Sequence, residues 1–230
     1  MSDARDVTVS GEVVVDVTLV SLRVSASMIG RALLLLDEHE RTLVATRTGD
    51  ARRRYLAAHA AARVVLGERL GTDPARLSIV SEPGGRPIVD GVAFSLTHSA
   101  ELAAVAIAVP DRRIGIDVER VRSRTHIDRL ARRVFDSEPY ERWRALPERD
   151  RTRAFAARWT EVEALLKARG TGMAGGLASA NDLPPGWSCT AIDAGAGYVG
   201  ALAVDASSIV IQSHALRLGD ALTRRDGTAR

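Results

Sequence analysis

Residues 113–121 read RIGIDVERV. Apolar and charged residues alternate here, which is the period of a strand with one covered face. Ile116 and Val118 point one way into a core. Asp117 and Glu119, two apart, leave together on the other face. A turn, Asp111-Arg112-Arg113, opens the stretch, and working outward from it divides the chain in two. Upstream, residues 12–24 read as a strand, and Met28 to about Thr46 as either helix or buried strand. Asp50 is a candidate N-cap for a helix to about Leu70, ended by Gly71. LSIVSE (77–82) reads as a strand, and two apolar segments, 92–97 and 102–109, flank His98-Ser99-Ala100-Glu101. Downstream, 126–146 reads as two short helices broken near Asp136-Ser137, with the serine capping the second. A long helix over about 149–169 follows, stopped by Gly170 and Gly172. Segments 187–193, 198–205 and 208–213 then read as a three-strand meander, and the last dozen residues as a frayed polar end. Strand, helix and strands thus occur twice. The pattern predicts an α+β fold of two similar α/β halves, 1–110 and 111–230.

Composition narrows the function classes. The chain has 230 residues, 46% hydrophobic and 27% charged, which excludes a disordered chain and a coiled coil. A single cysteine, Cys189, excludes an internal disulfide and a multi-cysteine zinc site. No apolar run spans a membrane, and the start MSDARDV lacks a signal-peptide layout, so a soluble cytoplasmic protein is expected. The net charge of +3 is too small to imply nucleic-acid binding. Yet 31 of the 32 basic residues are arginines, and Lys167 is the only lysine. A lone lysine in such a chain suggests that a compact point charge is needed there.

Three stretches concentrate polar residues. Asp117 and Glu119 repel each other unless a cation or a shared proton intervenes; a solvated strand face is the plain alternative. Trp159, Glu163 and Lys167 follow at i, i+4, i+8 on one helix face, where a weak surface ion pair is the plain alternative. Thr97-His98-Ser99 places an imidazole between two hydroxyls at a strand end, a pattern suited to phosphate; a bystander histidine is the plain alternative.

Taken in order, these stretches resemble the Sfp-type 4′-phosphopantetheinyl transferases. The family's motifs stand here as Gly85-Arg86-Pro87, Thr97-His98-Ser99, Gly115-Ile116-Asp117-Val118-Glu119 and the run Trp159-Thr160-Glu161-Val162-Glu163-Ala164-Leu165-Leu166-Lys167-Ala168-Arg169-Gly170. Arg86 replaces a usual lysine and Val162 another, the second with loss of a charge and, by implication, of a phosphate contact. The resemblance implies a pseudo-twofold monomer, with coenzyme A bound on the 1–110 side and the metal carboxylates and catalytic helix in 111–230. It implies transfer of the 4′-phosphopantetheine arm of coenzyme A to a serine of acyl, polyketide or nonribosomal-peptide carrier proteins, the activity of a holo-[acyl-carrier-protein] synthase. Adenosine 3′,5′-bisphosphate leaves. Mg²⁺ would be held by Asp117, Glu119 and Glu163. Glu163 would act as base, and Lys167 and His98 would offset phosphoryl charge. Arg86, Pro87, Thr97, His98 and Lys167 would contact coenzyme A. Arg54, nine residues before Arg63, would reach its 3′-phosphate, with Arg53 as the alternative. Arg122, Arg124, Arg129, Arg132 and Arg133 are candidates to steer an acidic carrier helix. No nucleic-acid or membrane partner is expected.

Two other readings compete. An arginine-rich module for RNA or polyphosphate would explain the pI near 9.6, but not three converging carboxylates, and 4% aromatics is sparse for base stacking. A catalytically weak coenzyme A-binding relative would follow from Val162.

Overall fold

The computed structural model of the chain describes residues 12–82, 85–123, 127–172 and 182–227. The elements run in order as strand β1 (Val13–Ser21), helices α1 (Ala26–Leu35), α2 (Glu38–Ala45) and α3 (Gly49–Leu70), then strands β2 (Val80–Ser81), β3 (Pro87–Ile88), β4 (Ala93–Ser99), β5 (Leu102–Ala108) and β6 (Ile114–Arg120). Helices α4 (Ile127–Val134), α5 (Ser137–Arg144) and α6 (Glu148–Arg169) follow, then strands β7 (Ser188–Ile192), β8 (Tyr198–Val204) and β9 (Ile209–Arg217), and helix α7 (Leu218–Gly227).

Local chemistry accounts for most boundaries. Helices α3 and α6 each end on a glycine in the left-handed region, Gly71 at φ 63° and Gly170 at φ 72°, where a Cβ would be strained. Asp37 caps α2 by accepting from the Glu40 N–H while the Glu40 carboxylate accepts from the Asp37 N–H, a reciprocal capping box. Helix α3 starts at Gly49 with Thr48 as N-cap, so Asp50 lies in the first turn rather than at the cap. There its charge still complements the helix dipole. Similarly, Asp136 is the N-cap of α5 and Ser137 its first residue. Only Val80–Ser81 of the expected strand 77–82 is paired, with Pro87–Ile88.

Two sheets carry the architecture. In the first, the strand order is β4-β5-β1-β9; in the second it is β6-β8-β7. Strand β1, helix α3 and the β4–β5 hairpin in order 4-5-1 repeat as β6, α6 and the β7–β8 pair in order 7-8-6, all antiparallel. Both long helices have 22 residues. Alternate residues of each strand build three cores. Alanine-rich α3 packs on one face of the first sheet through Leu56, Ala60 and Leu66 against Phe94, Val105 and Ile107. Between the sheets, Val15 and Val17 meet Ile114, Ile116, Leu202 and Val204. Helix α6 covers the second sheet through Val162, Leu165 and Leu166 against Ala201 and Ala203.

The expected meander is wrong in one strand. β9 leaves β7 and β8 and joins the first sheet, parallel to β1 over nine residue pairs, Val13↔Ile209 to Ser21↔Arg217. The expected frayed end is helix α7, whose Leu218, Ala221 and Leu222 are buried in the first core. Segment 28–46, ambiguous in sequence, is helical. Among the described residues no helix is long and apolar enough to cross a membrane.

Candidate active site

The two sheets meet where β4 lies beside β6, and side chains make this seam. Ser95, Thr97 and Ser99 alternate along β4 and so share its β6-facing side. The Ser95 hydroxyl accepts from the Ile116 N–H at 3.1 Å. Thr97 donates to Asp117 Oδ1 at 2.8 Å, and Ser99 donates to Glu119 Oε2 at 2.8 Å while accepting from the Arg120 N–H at 3.1 Å. The same alternation turns His98 the other way, toward α3. The expected triple donor at 97–99 is therefore split. Thr97, itself buried, supports Asp117 from behind.

Helix α6 delivers the opposite wall. Gly115 sets its distance, since a Cβ there would overlap the Ala164 carbonyl oxygen and sit 2.5 Å from the Ala168 nitrogen. This close approach brings Lys167 onto the strand, where Nζ donates to Asp117 Oδ1 at 2.7 Å and to the Ile116 carbonyl at 3.1 Å. The single lysine is thus spent on the strand carboxylate, not on an i, i+4 pair with Glu163.

The electrostatics follow from burial. Burial raises the pKa of Asp117, and Glu119 adds to the rise, while Lys167 and the Thr97 hydroxyl oppose it. Half-buried Glu163 is pushed up by desolvation and then by Asp117 and Glu119, with Lys167 opposing. Asp117, Glu119 and Glu163 therefore sense one another across β6 and α6. All three are hard oxygen donors without thiolate or imidazole, a set whose chemistry fits Mg²⁺. Among the described residues no three metal-ligating side chains are drawn tightly enough to form a finished cage.

His98 faces a cationic pocket. Its pKa is pushed down to about 4, first by burial, then by His59, Lys167, Arg47 and Arg54. The Tyr55 ring lies edge-on to His98, stacks on His59 at 4.1 Å, and carries the Arg47 guanidinium 3.7 Å above its centroid. His59 Nδ1 lies 3.1 Å from Glu40 Oε1. Fully buried Arg63 donates to Asp37, Glu40 and the Pro74 and Leu77 carbonyls, locking α2 to α3. Burial alone would raise the Glu40 pKa, but the His59 hydrogen bond and the Arg63 charge outweigh it and hold it low. Arg47, Tyr55 and His59 were not singled out in the sequence. Their signal is weak there, because Tyr55 and His59 read as ordinary interior positions of a long helix.

Arg53 and Arg54 both bind Glu101, and Arg54 also reaches Asp50 at 3.2 Å. Arg86 stands apart from the carboxylates. With Arg112, Arg113 and Arg169 it lines an open cavity of about 430 Å³ at the C-terminal end of α6. Its Nε, 3.6 Å from Glu82, is buried with no hydrogen-bond partner among the described residues. Pro87 pairs with Ser81 in the β2–β3 ladder. Val162 is fully buried among Leu166, Ala201 and Ala203. The helical period turns it away from Lys167, into the core between α6 and the second sheet. Arg132 lies over the Tyr140 ring at 4.4 Å, and Arg124 lies outside the described residues.

Comparison with known proteins points one way. Residues 113–216 match the sequence profile described as the 4′-phosphopantetheinyl transferase superfamily. A 131-residue stretch is 38% identical to the 4′-phosphopantetheinyl transferase HetI of Nostoc sp., covering 54% of this chain and 55% of that protein. Another stretch, of 134 residues, is 30% identical to the 4′-phosphopantetheinyl transferase psf-1 of Bacillus pumilus, covering 56% of this chain and 55% of that one. The chain thus matches little more than half the length of these relatives. Both the strand bearing Asp117 and Glu119 and the helix bearing Glu163 and Lys167 fall inside the profile match. The part of the chain that carries β6 and α6 is thus similar to 4′-phosphopantetheinyl transferases.

Proposed function

We propose that this chain transfers the 4′-phosphopantetheine arm of coenzyme A to a serine hydroxyl of acyl, polyketide or nonribosomal-peptide carrier proteins, releasing adenosine 3′,5′-bisphosphate. The observation that carries the reading is the juxtaposition of Glu163 with the Lys167–Asp117 pair, on the matched strand and helix, beside the cationic pocket around His98. The serine oxygen forms a bond to the phosphorus that bears the pantetheine arm. The bond from that phosphorus to the bridging oxygen of the pyrophosphate breaks, and the bisphosphate leaves with the electron pair.

Glu163 takes the serine proton. Its raised pKa makes it a stronger base than an exposed glutamate. Lys167, fixed by Asp117 and the Ile116 carbonyl, presents its charge to the phosphates. His98 acts as a neutral hydrogen-bonding group. Arg54, with Arg53 beside it, holds the 3′-phosphate, and Arg86 with Pro87 holds the adenosine end. Thr97 keeps Asp117 oriented. Mg²⁺ held by Asp117, Glu119 and Glu163 would relieve their mutual repulsion and polarise the transferring phosphoryl group. The arginines Arg122, Arg129, Arg132 and Arg133 steer an acidic carrier helix, and the protein works as a cytoplasmic monomer.

Intact mass spectrometry of an apo carrier protein incubated with this chain, coenzyme A and Mg²⁺ tests the reading. One phosphopantetheine arm is expected on the carrier. The gain should be lost with EDTA and should fall at least a hundredfold in rate for Glu163→Gln. An unmodified carrier across several carrier types, with no coenzyme A bound, overturns the proposal.

A further inference from the structure

Glu101 has no part in the scheme above, yet it stands at the edge of the cationic pocket, three residues after His98 in the β4–β5 turn. Its backbone is anchored to both sheets. The carbonyl accepts from the Leu22 N–H at 2.9 Å just past β1, and the N–H donates to the Tyr198 hydroxyl of β8 at 3.4 Å. The preceding residue, Ala100, is held at φ 50°, a left-handed conformation disfavoured for a residue with a Cβ. A strained, doubly tethered turn aims this carboxylate.

Its target is the start of α3. Arg53 donates to the two Glu101 oxygens from Nη1 at 3.1 Å and Nη2 at 2.5 Å, so both terminal nitrogens are engaged. Arg54 donates from Nε at 3.1 Å, and its Nη2 goes to Asp50. Arg54 Nη1 makes no hydrogen bond among the described residues. The two arginines are thus treated differently. Both pair with Glu101 and Asp50, but Arg53 is held by its two terminal nitrogens, while Arg54 is gripped by its inner nitrogen and leaves Nη1 to meet a ligand. A carboxylate acting as a decoy for phosphate would occupy that outer edge, and Glu101 does not.

We infer that Glu101 is a positioning residue, which clamps Arg53 and Arg54 so that Arg54 meets the 3′-phosphate of coenzyme A already ordered. The inference rests on the transferase reading. Its physical content is preorganisation: a long guanidinium side chain fixed beforehand loses less rotamer freedom when an anion binds.

Calorimetric titration of the full chain with coenzyme A and with dephospho-coenzyme A, which lacks the 3′-phosphate, separates the terms. The wild-type protein is expected to prefer coenzyme A. Glu101→Gln should cut that preference about tenfold, and Glu101→Asp should keep more of it than Gln does. Arg54→Ala should lose the same preference, with no further loss in the double variant. A merely structural role would weaken both donors alike and leave their ratio unchanged. An unchanged or increased preference in Glu101→Gln, with wild-type binding intact, overturns the clamp alone. A wild-type protein that binds neither donor overturns the transferase reading and the clamp with it.

Discussion

An imidazole with its pKa pushed down to about 4 carries no charge at neutral pH, so His98 enters any reaction as a neutral group. The sequence showed the residue and its place at a strand end, but not its charge state. That depends on burial against Tyr55 and on Arg47, Arg54, His59 and Lys167, all of which lie on segments far away along the chain. The same shift predicts a pH dependence. Between about pH 6.5 and 4 the unfolded chain takes up a proton at this position that the folded chain refuses. Folding stability should therefore fall as the pH drops through this window, by about 3 kcal/mol at most. Urea unfolding at pH 7 and pH 5 checks it. The wild-type protein should lose more stability than His98→Gln over that interval, and equal losses would refute the assignment.

Strand β6 and helix α6 were legible because their signals are local: alternation in one, a glycine stop in the other. The pairs Asp117–Glu119 and Glu163–Lys167 were legible from spacing, whereas their joining in one site came only from the family resemblance. The reach of Lys167 across to Asp117 was not legible, because it depends on how closely the two elements approach, and Gly115 sets that distance. Gly115→Ala should push α6 off β6 and destabilise the fold by about 3 kcal/mol, an overpacking cost against backbone atoms. Coenzyme A binding and transfer should fall with it. A urea midpoint and transfer rate equal to wild type would show that the interface yields freely. Glu101 escaped notice for the opposite reason. A glutamate in a turn reads as solvated, and only the fold reveals two arginines waiting for it.

At the scale of the whole molecule, the duplicated order of strand, helix and strands was visible in the sequence, whereas the return of β9 to the first sheet was not. Alternation tells a strand's faces but not its neighbour, and residue 13 pairs with residue 209, across most of the chain's length. Deleting residues 209–230 should strip Leu218, Ala221 and Leu222 from the first core. The truncated chain is expected to bind a hydrophobic dye and to unfold over a broad urea range. Its tryptophans, at 143, 159 and 187, all lie in the other half and should keep their buried emission longer. A single sharp transition at the wild-type urea midpoint would contradict this.

That ladder between β1 and β9 also bears on how the protein is made. A ribosome releases the chain from its N-terminus at about 5–20 residues per second. The first half emerges with one flank of its sheet unpaired, and its missing strand arrives only after roughly a hundred more residues, on the order of ten seconds later. During translation the nascent chain carries an open β1 edge and an uncovered apolar surface, so the period of greatest exposure to aggregation and to chaperones comes early. It closes only when residues 209–227 leave the exit tunnel.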